Sequence, residues 1–131
     1  MVREIINIQL GRGGNRVGQM FWETLSHEHL ILSSQDGSNV TSEKQAVYFN
    51  ENSNGKFEGR SIFIGTEDQI INQGQKKFIG HIFSPDNFFC TESNPSDIFP
   101  ECFNYRSDFC SKIIDCVRKE AEKCDFLQGF Q

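Results

Sequence analysis

The chain has 131 residues with a formal net charge of −5, 37% hydrophobic and 24% charged. That balance suits one soluble globular domain or part of a larger one. The acidic sign argues against a nucleic-acid surface, and no apolar run approaches the roughly 18 residues of a membrane span. Five cysteines (Cys90, Cys102, Cys110, Cys116, Cys124) are odd in number and include no CxxC pair. They suggest neither a disulfide framework nor a zinc site, but reduced, mostly buried thiols. The N-terminus MVREIINIQLG sets charge before only a short apolar run and is a poor signal peptide. These features point to the cytosol.

Residues 4–10, EIINIQL, mix β-branched and apolar side chains and predict a strand buried on at least one face. The loop GRGGNRVG (11–18) follows. Val17, Met20, Phe21, Leu25 and His29 then recur at helical spacing, which predicts a helix from about Asn15 to Glu28. SSQDGSN (33–39) reads as a surface loop. Two extended pieces, 46–50 and 61–65, flank the turn former Asn54-Gly55. Residues 66–80 read as a short polar helix or loop, and GHIFS (80–84) as a third short strand. Residues 85–100 hold three prolines and no period. From Ser107 to about Phe126 the spacing of Phe109, Ile113, Val117, Ala121 and Cys124 is helical. Arg118, Lys119, Glu120 and Glu122 are expected on a solvated face. The closing LQGFQ looks like the opening of another strand.

This order predicts an α/β fold, a parallel sheet with crossover helices. A sheet of three or four short strands needs helices on both faces. So few are supplied here that the chain reads as the first half of a domain, poorly folded or partner-dependent by itself.

The strongest local feature is the order strand, GRGGNRVG, helix. A Gly-rich turn at a helix N-terminus aims backbone N–H groups and the positive helix end at one point, where phosphate binds. No P-loop GxxxxGK[ST] occurs, and Arg16 stands where the dinucleotide fingerprint GxGxxG needs its third glycine. By spacing alone, a phosphate site and a tight structural turn both remain open. His27-Glu28-His29 does not suggest a metal site, because i and i+2 do not share a helix face.

The stretch VREIINIQLGRGGNRVGQMFWETLSHEHLI resembles the amino terminus of the tubulin family in its β form: an REI strand, GQxGNQxG, a helix with FWE, and an EHGI end. VYFNENSNGKF resembles the family's VYYNE…GKY hairpin, HIFSPDNF its IFRPDNF segment, and VRKEAEKCDFLQGFQ is the closest match. The four motifs stand in the family's order. The β form is favoured by Asn15, FSPDNF and QGFQ, and residues 32–46 and 91–108 match loosely.

The resemblance implies a Rossmann-like GTP- or GDP-binding domain with Mg2+, of which residues 1–131 would be the first part, ending before the GGGTGSG loop. It implies a cytoskeletal subunit of microtubules in the cytoplasm. Its partners would be α-tubulin, other tubulin subunits and guanine nucleotide, with no nucleic acid and no membrane. The first phosphate loop falls on Gly11, Arg12, Gly13, Gly14, Asn15 and Arg16, and the acidic residue near magnesium on Glu67. Arg12 and Arg16 replace two glutamines of the family. Arginine can bind phosphate but offers no oxygen to a metal. Gly65 stands at an aspartate position, and Asn94-Pro95-Ser96-Asp97-Ile98 replaces a Gly-Ala-Gly-Asn-Asn stretch. Hydrolysis in the family uses an acid from the next subunit, so no GTPase activity is expected of this chain alone. Weakened loops favour an alternative reading, a tubulin-derived interaction protein or a decayed fragment without nucleotide binding. Arg16 argues against a dinucleotide-dependent oxidoreductase.

Overall fold

A computed structural model describes residues 1–29, 43–65, 81–90 and 108–131. Strand β1 (Glu4–Leu10) runs directly into helix α1 (Gly11–Glu28). Helix α2 (Glu43–Tyr48) leads into β2 (Phe49–Glu51), which pairs antiparallel with β3 (Phe57–Gly59). Then come β4 (Ser61–Gly65), a 3-10 turn (Pro85–Asn87), β5 (Phe88–Cys90), α3 (Asp108–Glu122) and β6 (Leu127–Phe130). The main sheet has the order β5-β4-β1-β6, and every pairing in it is parallel. The expected α/β architecture is therefore present, with the last strand beside the first.

Side chains of a strand alternate between faces, and β1 and β4 divide accordingly. Ile6 and Ile62, with Ile8 and Ile64 beside them, pack with Cys116, Val117 and Ala121 of α3. On the other face Phe63 joins Trp22 and Leu25 of α1, together with Phe49, Ile82 and Phe83. Phe63 and Phe88 stack at 4.5 Å between centroids, and Phe83 meets Phe63 edge-on at 4.8 Å. Such pairs add about 0.5–1.5 kcal/mol beyond the area they bury.

Several sequence expectations need correction. Gly11 to Gly18 is not a loop before the helix but its first two turns. The buried face of α1 is Asn15, Gly18, Trp22, Leu25 and Ser26, whereas Val17 and Met20 are each 71% exposed. Asn15, Gly18 and Ser26 share that face with Trp22 and Leu25, and Gly18 lies against Gln9 with no room for a side chain; of the expected stripe Leu25 is buried and Phe21 packs on the core. Residues 46–48 are helical, and the hairpin around Asn54-Gly55 joins β2 to β3; Ser61–Gly65 pairs with β1 instead. Of the expected strand 80–84, the described residues 81–84 are not extended pairing segments: 81 and 82 are 3-10, and Ile82 and Phe83 are core residues. The strand comes later, as β5, after the turn that Pro85 opens. In α3 the expected apolar stripe packs on the sheet, but Glu120 is 5% exposed and ion-paired to Lys123 at 2.6 Å. Of the four described cysteines only Cys116 is buried and Cys110 is exposed, so the thiols are not mostly buried. The segments 33–39, 66–80 and 91–107 lie outside the described residues.

Candidate functional site

In a parallel α/β sheet, ligands bind beyond the carboxyl ends of the strands. Here β1 and β4 end beside the start of α1. The reversal from strand to helix needs no intervening residue because Gly11 adopts φ +69°, a region open to glycine at no steric cost. Leu10 is extended and gives no side-chain cap, and the first turn holds no acidic residue. The first N–H groups of a helix have no intrahelical acceptor, so in α1 they and the positive end of the dipole are available to an anion. Gly11, Arg12, Gly13 and Gly14 are all exposed. A Cβ at Gly13 would meet nothing within 4 Å, and one at Gly14 only the Gln9 carbonyl carbon at 3.8 Å. The surface before the helix is therefore open to close approach. Exposed Arg12 and Arg16, four residues apart, stand on one side of α1 and bring positive charge.

Asn15 differs from its five exposed neighbours. It is 2% exposed, and its Nδ2 donates to the Gly11 carbonyl at 2.6 Å and the Ile64 carbonyl at 2.9 Å. Its Oδ1 is buried without a hydrogen-bond partner. Glu67 and Asn94–Ile98 lie outside the described residues. Among the described residues no group of three or more His, Cys, Asp or Glu side chains is placed to hold a metal ion.

Beneath the helix start lies a polar floor that apolar patterning misses. Gln9, 3% exposed, donates from Nε2 to Asn7 Oδ1 at 3.1 Å and Ser61 Oγ at 3.2 Å. Apart from this floor, Asn87 donates to the Ser61 carbonyl at 3.1 Å and accepts from the Cys116 thiol of α3, on the opposite face of the sheet, at 3.3 Å. The available signal was the repeat of Asn7 and Gln9 at spacing two inside an otherwise apolar strand, which puts amides on the face that meets α1.

At the other end of β1, burial alone would raise the Glu4 carboxyl. The N–H groups of Phe126 and Asp125, donating at 2.8 and 3.1 Å, together with the Arg60 charge, hold it below its ordinary value instead. Arg60 is 5% exposed and reaches the Cys124 sulfur at 3.7 Å. Burial pushes the Cys116 and Cys124 thiols up, the opposite of what a reactive thiolate needs.

A model of the Tubulin/FtsZ family GTPase domain matches residues 4–131. The chain is 38% identical to the tubulin beta chain of Pneumocystis carinii and 36% identical to those of Candida albicans and Saccharomyces cerevisiae. Each alignment covers 99% of this chain but only 29–30% of the relative. With the parallel sheet and the glycine-rich strand-to-helix junction in the residues that the GTPase-domain model matches, the chain belongs to the Tubulin/FtsZ family.

Proposed function

We propose that this chain is the opening part of the guanine-nucleotide-binding domain of a divergent β-tubulin-like cytoskeletal subunit, working in the cytoplasm with α-tubulin and other tubulin subunits. The observation that carries this is the start of α1: uncapped, free of acid, and opened by Gly11, Gly13 and Gly14 at the carboxyl ends of β1 and β4. In this reading the backbone N–H groups of Gly11 to Gly14 face the phosphates of GTP or GDP, and Arg12 and Arg16 add charge-assisted bonds. Asn15 shapes the junction from below. Glu67 is the candidate for Mg2+, whose chemistry when bound is to neutralise charge on the phosphates. Arg12 has no oxygen to offer that ion and brings a positive charge of its own. No described helix is long and apolar enough to cross a membrane.

A chimera tests the reading. This chain replaces the matching part of the Saccharomyces cerevisiae beta chain, and the purified product is assayed for bound GTP or GDP and for pairing with α-tubulin. Retention of both properties is the expected result. The replacement of two amides by Arg12 and Arg16 favours a second reading, a tubulin-derived interaction protein that binds no nucleotide. A chimera that pairs but carries no nucleotide selects that one.

A further inference from the structure

We infer that Asn15 is a positioning residue of this site, a bridge that sets the phosphate-facing start of α1 against the end of β4. The inference rests on the nucleotide reading for what the helix start holds, but the bridge itself is a matter of geometry. A side-chain amide has two N–H donors. Asn15 gives both to backbone carbonyls on two different elements: Gly11 O at 2.6 Å, the first residue of α1, and Ile64 O at 2.9 Å, the penultimate residue of β4. Its Oδ1 has no partner, so the donor half is what offsets the burial of this polar group. Ile64 is in register with Leu10 of β1, the residue that precedes Gly11. The bridge thus closes a small loop of structure: β1 to α1 along the chain, α1 to β4 through Asn15, and β4 back to β1 through the sheet.

A close approach one turn later supports the same placement. A Cβ on Gly18 would fall 2.1 Å from Gln9 Cδ, so α1 lies against β1 with no room for a side chain. Asn15 and Gly18 are three residues apart and share the face toward the sheet. The first two turns of α1 are therefore located by one two-sided hydrogen bond and one close packing point.

Serine separates this bridge from an ordinary local bond. A serine hydroxyl at position 15 reaches back to the carbonyl four residues earlier, but it is too short to reach Ile64 as well. Amide hydrogen exchange is measured by NMR on the full 131-residue chain in wild-type, Asn15→Ser and Asn15→Ala forms. Because α1 and α3 cover both faces of the sheet, the wild type is expected, against the sequence expectation of a poorly folded chain, to protect β1, β4 and the start of α1. Both variants are expected to exchange about tenfold faster at residues 15–17 and 63–65, with Ile6 and Val117 unchanged. Wild-type rates in Asn15→Ser, equal acceleration everywhere, no change in either variant, or no protection in the wild type overturns the bridge.

A second arm adds GTP and follows the amides of Gly11 to Gly14. Affinity is expected to fall severalfold in both variants. Equal affinity in all three forms shows that the bridge positions nothing. A wild-type chimera that carries no GTP or GDP defeats the nucleotide reading, while the exchange rates still decide the bridge.

Discussion

Glu4 keeps a charge where charge is costly, at 5% exposure, because two backbone N–H groups beyond α3 and the Arg60 guanidinium are aimed at it. Its carboxyl lies below the ordinary value of 4.5, so it adds stability that is fully present above that value and is lost as pH falls through the lower folded value. Glu4→Gln is expected to cost about 1.5–3 kcal/mol at pH 7, the range for hydrogen bonds to a charged group. Urea melts at pH 7 and pH 3 check this: the gap between variant and wild type should close at the lower pH. At Gly18 the effect is steric. Gly18→Ala puts a methyl 2.1–2.4 Å from Gln9 side-chain atoms that are held by Asn7 and Ser61. A cost of about 1–3 kcal/mol is expected from overpacking. Gln9→Ala in the same background should recover part of it, read as the coupling term of a double-mutant cycle.

At the scale of elements, α1 and α3 serve the two faces of the sheet by different means. Helix α3 follows the apolar stripe that its spacing announces, with Val117 and Ala121 against Ile6 and Ile62. Helix α1 packs through one large ring. Trp22 is fully buried, edge-on to Phe21, Phe49 and Phe83 at 5.6, 5.3 and 5.1 Å. Trp22→Ala is expected to cost about 3–5 kcal/mol by urea denaturation, because a rigid aromatic cluster does not collapse around the cavity. Trp22→Phe should recover most of that, since the indole Nε1 is buried without a partner and its loss removes no hydrogen bond.

For the whole molecule, the open surface before α1 offers backbone donors and two arginines, while most oxygens of a triphosphate meeting only that surface stay in water. Titration of the 131-residue chain with labelled GTP is expected to give a dissociation constant weaker than micromolar. No phosphate release is expected from this chain alone, because the family resemblance places the hydrolytic acid on the next subunit. Submicromolar, magnesium-dependent binding or measurable turnover overturns these expectations. Weak binding here and firm binding in the chimera are compatible, because the chain spans 29–30% of its relatives' length.

The sequence by itself determined the parallel α/β class, β1, the existence of both long helices, the apolar face of α3, and the family. Each of these depends on a local period or an ordered motif, which survives without tertiary context. Tertiary structure decided which face of α1 is buried. Gly18 and Ser26 carry no apolar signal, and the burial of Gly18 follows from how near the helix lies to Gln9 of β1. It decided that the strand is Phe88–Cys90 and not residues 81–84, since Ile82 and Phe83 are apolar for the aromatic core rather than for a sheet. It also decided that Asn15, adjacent in sequence to exposed Gly14 and Arg16, turns inward to Ile64. A bond between residues 49 apart has no trace in the pattern of either segment, because each carbonyl and amide looks the same until the fold brings them together.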